Sequence, residues 1–410
     1  MKTALYIARA GLPIDAPGIR IEQIGNLLEQ LEYRVHYLAE TRIDERIQNS
    51  GYSIVNPQPT TAWLDPDELH YQIGQKVYSY LPAFSGKKLD TARELLEIVF
   101  AGRAFRRVVK YCEKEQPSLI ILYNDVYGLT KRLIPYCKKH RIDLIGDVTE
   151  WYAYNNTTIG EWLVSRLTNL RIRKLDRYLD AVLAISPFFS DYYRDLGVRQ
   201  VWIPPLMELD DNLSIQKYDH PETPGAVNLV YAGSPGSKDI LLPVLSALQI
   251  INRPEIRIRI DLVGLDEDAL RKIGFKGDLL RAGIFAHGRQ SHEETLRIVR
   301  KSDFGVLFRY KKRYAKAGFS TKFAECMSNG VAMICNQVGG TDRLIRSFKN
   351  GILLKEASEA AVLDLLWQLA VLPQQRILQM RTEAYQDARI YFDIKQYHGG
   401  IRRILETLTR

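Results

Sequence analysis

Ser320, Thr321, Lys322 and Glu325 have the residue types and the spacing to hold an anion. The small-residue stretch Gly318-Phe319-Ser320-Thr321 leads into a helix over 322–328, with Ser320 or Thr321 as its N-cap. A helix N-terminus carries unpaired backbone N–H groups and the positive end of the helix dipole, and together these can hold a phosphate. Lys322 adds a full positive charge to that first turn, where it opposes the dipole. A lysine there makes better sense with an anion in front of it. Glu325, one turn further on, can accept hydrogen bonds from hydroxyl groups beside that anion. The helix stops at Asn329-Gly330 and feeds an apolar strand, 331–335. The same stretch also reads as an ordinary α/β helix with a solvated lysine and glutamate, so the rest of the chain decides.

Three other stretches bear on the decision. A strand over 228–232 runs into Gly233-Ser234-Pro235-Gly236-Ser237-Lys238, followed by a helix over 239–251. A lysine at a glycine-rich helix entrance can neutralise a diphosphate, although the G-x-x-x-x-G-K-[ST] pattern is absent. A strand over 284–286 delivers His287-Gly288-Arg289. In the first half, a strand over 142–146 ends at Asp147-Val148-Thr149-Glu150, and functional residues gather beyond the carboxyl ends of parallel strands. Asp147 or Glu150 is therefore a candidate base for deprotonating a hydroxyl, the alternative being a helix cap or a loop salt bridge. Asp266-Glu267-Asp268 heads a helix, where acidic residues complement the dipole, and it is read that way and not as a metal site.

The elements that must position these residues alternate throughout. A strand over 2–9, a loop over 10–17, a helix opened by Gly18 with Ile21, Ile24, Leu27, Leu28 and Leu31 on one face, and a strand over 33–39 make a parallel unit. Without G-x-G-x-x-G, a dinucleotide cofactor is not supported. Residues 41–90, with Asp65-Pro66-Asp67 among Trp63, Tyr71, Tyr78 and Tyr80, read as an acceptor-facing excursion or a packed insertion. A long helix over 90–115 precedes further strand–helix pairs up to a strand over 201–203 and Pro204-Pro205. The proline- and aspartate-rich text that follows is a linker. The expected organisation is a first domain over 1–205, a linker over 206–225, a second domain over 226–390 and a terminal helix within 391–410.

At 410 residues and 47.1 kDa the chain suits two domains with their own cores. Net charge is +9, with basic clusters at Arg103, Arg106, Arg107 and Lys110, at Arg171, Arg173, Lys174 and Arg177, and over 309–316. Phosphorylated substrates and an anionic membrane surface both fit that charge. No nucleic-acid-binding signature accompanies it, so no nucleic-acid partner is expected. No apolar run approaches the ~20 residues that span a bilayer, and the N-terminal text does not read as a secretion signal. Cys112, Cys137, Cys326 and Cys335 form no CxxC pair and read as buried thiols, which suits a cytoplasmic protein, with the inner face of the cell membrane as its place of work.

Gly318-Phe319, Glu325, Met327, Gly330 and Ile334 stand at matching places in a pattern that resembles the donor-site signature of retaining group 1 (GT4) glycosyltransferases. The Gly-Phe-Ser-Thr-Lys-Phe form is similar to that of capsule and cell-surface polysaccharide transferases. The resemblance implies an α/β GT-B fold: two Rossmann-like domains with parallel sheets facing across a cleft, and a C-terminal helix crossing back to the first. It implies a nucleotide-sugar donor, UDP- or GDP-linked, used as substrate without a further cofactor or a metal, and a glycan or lipid-linked acceptor. Gly18, Gly233, Ser234, Gly236, Lys238, Ser320, Thr321 and Lys322 would then face the diphosphate, Glu325 the ribose, and His287, Gly288 and Arg289 the base. Asp147 and Glu150 would face the acceptor, with Trp151, Tyr152 and Tyr154 as stacking platforms for sugar rings. Lys238 and Lys322 would stabilise the departing diphosphate, with the basic loop from Arg309 to Lys316 in reserve, and domain closure would exclude water. The family's first motif glutamate falls on Ala317, its phosphate-binding arginine on Ser234, and its frequent histidine on Asp147. Two rivals follow from these departures and from the shared fold: a nucleotide-sugar epimerase, and a non-catalytic subunit of a polysaccharide assembly complex.

Overall fold

The computed structural model describes residues 2–8, 16–39, 69–73, 76–80, 95–152, 158–236 and 238–408. The chain divides into two compact units, Met1–Pro204 with Tyr397–Arg410, and Pro205–Gln396.

The first unit is built on β1 (Lys2–Ala8), α1 (Ala16–Gln30), β2 (Tyr33–Ala39), β3 (Leu69–Ile73), β4 (Lys76–Tyr80), α2 (Gly102–Glu115), β5 (Leu119–Tyr123), α3 (Tyr127–His140), β6 (Asp143–Val148), α4 (Ile159–Lys174), β7 (Ala181–Ala184), α5 (Pro187–Asp195) and β8 (Gln200–Trp202). Its sheet runs β3-β4-β2-β1-β5-β6-β7-β8, parallel apart from the antiparallel β3–β4 pair at one edge. β1 and β5 are apolar and buried nearly end to end because helices cover both faces of a parallel sheet. The edge pair falls inside the stretch that read as an excursion; Trp63 and Asp65-Pro66-Asp67 lie outside the described residues. The helix expected over 90–115 is interrupted at Ala101, whose left-handed backbone (φ 48°) separates a short helical segment at 95–100 from α2. Thr158 starts α4 with a capping box: its hydroxyl accepts from the Glu161 N–H, while the Glu161 carboxylate accepts from the Thr158 N–H.

The second unit contains β9 (Val227–Ala232), α6 (Leu242–Ile251), β10 (Ile258–Val263), α7 (Glu267–Lys272), β11 (Ile284–Gly288), α8 (His292–Arg300), β12 (Phe304–Leu307), α9 (Arg313–Ala317), α10 (Thr321–Ser328), β13 (Ala332–Asn336), α11 (Thr341–Leu344), β14 (Gly351–Leu354), α12 (Glu359–Ala370) and α13 (Gln374–Tyr391). Its sheet is wholly parallel, in the order β11-β10-β9-β12-β13-β14. This is the doubly wound order, and it reverses direction between β9 and β12, the point where such sheets open a crevice beyond their strand ends. α14 (His398–Leu408) returns to the first unit, where it packs on α1 and β8; a Cβ on Gly400 would touch Val201.

Candidate functional site

The reversal between β9 and β12 is where Lys322 and Arg309 meet. The loop after β9 is laced to the segment after β12 by an isolated bridge between Asp239 and Arg309, and by the Ile240 N–H donating to the Phe308 carbonyl at 2.7 Å. Asp239 stands at the centre. Its Oδ2 receives Lys322 Nζ at 2.7 Å and the Tyr231 hydroxyl at 2.7 Å, and its Oδ1 receives Arg309 Nε at 2.9 Å. Lys322 Nζ also donates to the Ser234 carbonyl at 3.0 Å and lies over the Tyr231 ring. Gly233 makes room for this: its φ is 114°, and a Cβ there would stand 2.7 Å from Lys322 Cε. Burial alone would raise the Asp239 carboxyl pKa, but the two facing cations outweigh it and hold it below the ordinary carboxylate range. Burial lowers the Lys322 pKa, against the pull of Asp239 and with the repulsion of Arg309. The two cations set the direction for Asp239, and burial sets it for Lys322.

The anion in front of Lys322 is therefore Asp239. The helix expected over 239–251 starts only at Leu242, with Pro243 in its first turn, so Lys238 lies in a turn ahead of the helix and not at its N-terminus. Its N–H donates to the Pro235 carbonyl and its own carbonyl accepts from the Tyr310 N–H. Ser234 is exposed, and Gly236 (φ 50°) has open space around it.

Ser320 is the N-cap of α10, yet its side chain caps nothing: Oγ is buried with no hydrogen-bond partner among the described residues. The first amides of α10 thus lack a side-chain cap, and Thr321 is exposed beside them. Burial raises the pKa of Glu325, on the second turn of α10, with His292 opposing; His292 Nδ1 lies 3.7 Å from its Oε1. His292 opens α8, immediately after the loop that carries Arg289, which is exposed. Gly288 (φ 62°) ends β11 in open space. His287 faces elsewhere: its Nε2 lies 2.7 Å from Asp261 Oδ1, which also accepts from Arg259 Nη2 at 2.8 Å. Ala317, at the end of α9, is completely buried.

The first unit treats its candidates differently. β6 runs two residues beyond the expected end, so Asp147 belongs to the strand and points into the core. It is fully buried; its oxygens accept from Arg20 Nε at 3.0 and 3.1 Å, from Arg20 Nη2 at 2.8 Å and from the Tyr6 hydroxyl at 2.6 Å. Arg20 in turn donates to the Ile203 and Pro204 carbonyls. Burial and the Asp147 charge push the Tyr6 pKa well above its ordinary value. The carboxylate expected to act as a base is a core ion pair, a correction that follows from its lack of solvent access. Trp151, expected as a stacking platform, is buried on Phe189 with ring planes 4° apart. Glu150 is half-buried and its N–H donates to Asn124 Oδ1 at 3.3 Å; Tyr152 is half-buried, and Tyr154 lies outside the described residues. Gly18 is buried in the first turn of α1, which begins at Ala16.

The structure brings together Gly233, Ser234, Lys322 and Arg309 of the basic loop, and adds Asp239 and Tyr231. It pairs Glu325 with His292, and it separates His287 and Asp147 into buried networks. Neither Tyr231 nor Asp239 stands out in the sequence. Tyr231 sits in an unbroken apolar strand, and Asp239 reads as the opening residue of a helix.

Residues 226–370, wholly within the second unit, match the family model described as glycosyl transferases group 1. An uncharacterized glycosyltransferase of Methanocaldococcus jannaschii is 31% identical over 102 residues, and the match spans 25% of this chain and 25% of that relative. Among solved structures, sucrose-phosphate synthase from Thermosynechococcus elongatus superimposes with a TM-score of 0.68 at 14% identity, covering 100% of this chain and 99% of that one. HepE of Anabaena, solved in complex with UDP and glucose, gives 0.62 at 13% identity, covering 99% and 100%. With the two sheets described above, these likenesses define an α/β two-domain GT-B fold.

Proposed function

We propose that this chain is a GT4-type glycosyltransferase that moves a sugar from a UDP- or GDP-linked donor to the hydroxyl of a glycan or lipid-linked acceptor, with retention of configuration and without a metal. Its setting would be cell-surface polysaccharide or glycolipid synthesis at the cytoplasmic face of the membrane. The observation that carries the reading is the convergence of Lys322 and Arg309 on the reversal point of the second sheet, beside a helix without a side-chain cap.

The slow step in such a transfer is departure of the nucleoside diphosphate, on which negative charge grows. Lys322, Arg309, Lys238 and the first amides of α10 would stabilise that charge; preorganised donors are worth most where charge develops. Asp239 would keep both cations aimed in the absence of donor. Since the trio carries a net positive charge, a diphosphate approaches an attractive site even with Asp239 in place. Arg309 would supply the guanidinium that Ser234 lacks. Glu325 would accept from the ribose hydroxyls, and Gly288 leaves room for the base. The UDP and glucose bound by HepE support the donor class.

A second reading, a non-catalytic subunit that binds nucleotide, rests on Ala317, a buried methyl group where the family's sugar-contacting glutamate would stand. Calorimetric titration with UDP and GDP, followed by product analysis with the corresponding nucleotide sugars and lipid-linked acceptors, decides between them. Binding and transfer are expected. Binding with no transfer to any acceptor supports the second reading, and a free epimer from donor alone would overturn both.

A further inference from the structure

One helical layer of the first unit carries large apolar side chains in solvent, together with a surplus of cations. Helices of parallel βα units run back against their strands, so the N-terminal ends of α3 and α4 lie at the carboxyl edge of the sheet. The helical segment at 95–100 joins them there: Arg132 Nε, in the first turns of α3, donates to the Phe100 carbonyl at 2.7 Å, and a Cβ on Gly128 would strike the Val99 carbonyl. α4 packs beside α3, and Arg171 ties it to the Asp125 carbonyl at 2.8 Å.

On this rim Ile159 is 75% exposed, Phe100 57%, Leu96 56% and Trp162 40%. The exposed guanidinium of Arg166 lies over the Trp162 ring, 5.2 Å from its centroid, and exposed Lys131 and Arg132 stand on α3. The stripe continues along α4 at helical spacing through Leu170 and Arg173. Arg171, grouped with these by sequence, is fully buried against Asp176 and takes no part. Among the described residues of the rim, two carboxylates are held by backbone amides. Glu97 accepts from the Arg103 and Ala104 N–H groups, and Glu161 closes the capping box of α4.

We propose that this rim is a docking surface for an anionic lipid bilayer, entered by Trp162, Ile159 and Phe100 and flanked by Arg132, Lys131 and Arg166. An apolar patch bounded by cations, with two of its acids held by backbone amides, complements a surface of negative headgroups over hydrocarbon. Tryptophan is the side chain that favours the boundary between the two. The surface belongs to the first unit alone and does not rest on the transfer reading. No helix among the described residues is long and apolar enough to cross a membrane, so the contact is peripheral.

Sedimentation of the full chain with vesicles tests it. Vesicles of phosphatidylcholine and phosphatidylglycerol should carry the protein down, vesicles of phosphatidylcholine alone should carry much less, and added salt should weaken the binding. Each basic residue near an anionic surface contributes about fivefold in partitioning, so Arg132→Glu with Arg166→Glu should cost more than about tenfold. Trp162→Ala should lower binding and Trp162→Phe should restore part of it. Arg281→Glu, the same kind of charge change on an exposed residue of the second unit, should leave it within about twofold of wild type. Far-ultraviolet circular dichroism confirms that each variant is folded. Equal binding to neutral and anionic vesicles, or an equal loss with Arg281→Glu, would overturn the proposal. So would a concentration-dependent dimer, indifferent to vesicles, that Trp162→Ala dissolves; the face would then belong to a second copy of the chain.

Discussion

Both units bring an aspartate, a basic side chain and a tyrosine hydroxyl together, and they do opposite things with them. In the first unit Asp147, Arg20 and Tyr6 form a closed set: the carboxylate is fully buried and the arginine is held on the far side by the Ile203 and Pro204 carbonyls. In the second unit Asp239 and Tyr231 are buried, but Lys322 and Arg309 keep partly exposed side chains, two cations share one carboxylate, and the neighbouring N-cap serine leaves its hydroxyl unused. A set that balances its own charge holds a fold together. One that carries excess charge at a partly exposed position suits the ligand-binding role proposed above.

The sharpest way to break this comparison is to remove one partner from the closed set. Arg20→Ala leaves a buried charge uncompensated and should destabilise the chain by about 3–5 kcal/mol in denaturant unfolding. An unchanged midpoint with lost turnover would return Asp147 to the reaction. Lys322→Ala should do the reverse, weakening UDP or GDP binding ten- to a hundredfold in calorimetry, as expected for a charge-assisted hydrogen bond of about 1.5–3 kcal/mol. Asp239 keeps Arg309 in that variant, so the unfolding midpoint should move little. Arg309→Ala should cost about tenfold in the same titration, and Ser234→Arg in that background should recover part of the loss. The smallest effect belongs to Glu325. Its raised carboxyl pKa means that the folded chain holds the proton more tightly than the unfolded one. The resulting stability is present at acid pH and is lost as pH rises through that raised value. Glu325→Gln should flatten this part of the profile of unfolding midpoint against pH.

Much of the architecture could be read directly, because strands buried on both faces leave uninterrupted apolar runs; the ranges 33–39, 119–123 and 127–140 coincide with β2, β5 and α3. The failures have a common cause. An apolar run ending at Gly146 suggested that the strand ended too, yet β6 continues because Asp147 finds Arg20, 127 positions away in the chain. The helix placed at Asp239 followed a run of apolar residues, while Asp239 is instead drawn into a bridge with Arg309. Local text reports propensity. It is silent about a charge whose partner lies on a distant element, and the ion pairs of both clusters are of that kind. The glycine loop was legible because Gly233 needs a backbone that few other residues adopt, and that constraint is local.

α14 has a bearing on how the molecule is made. Residues 398–408 complete the first unit, but they leave the ribosome after every residue of the second. The first unit can therefore complete its fold only after the whole second unit has been synthesised, and until then α1 and β8 lack the helix that packs on them. During that interval the nascent chain is most exposed to chaperones and to its neighbours on the polysome.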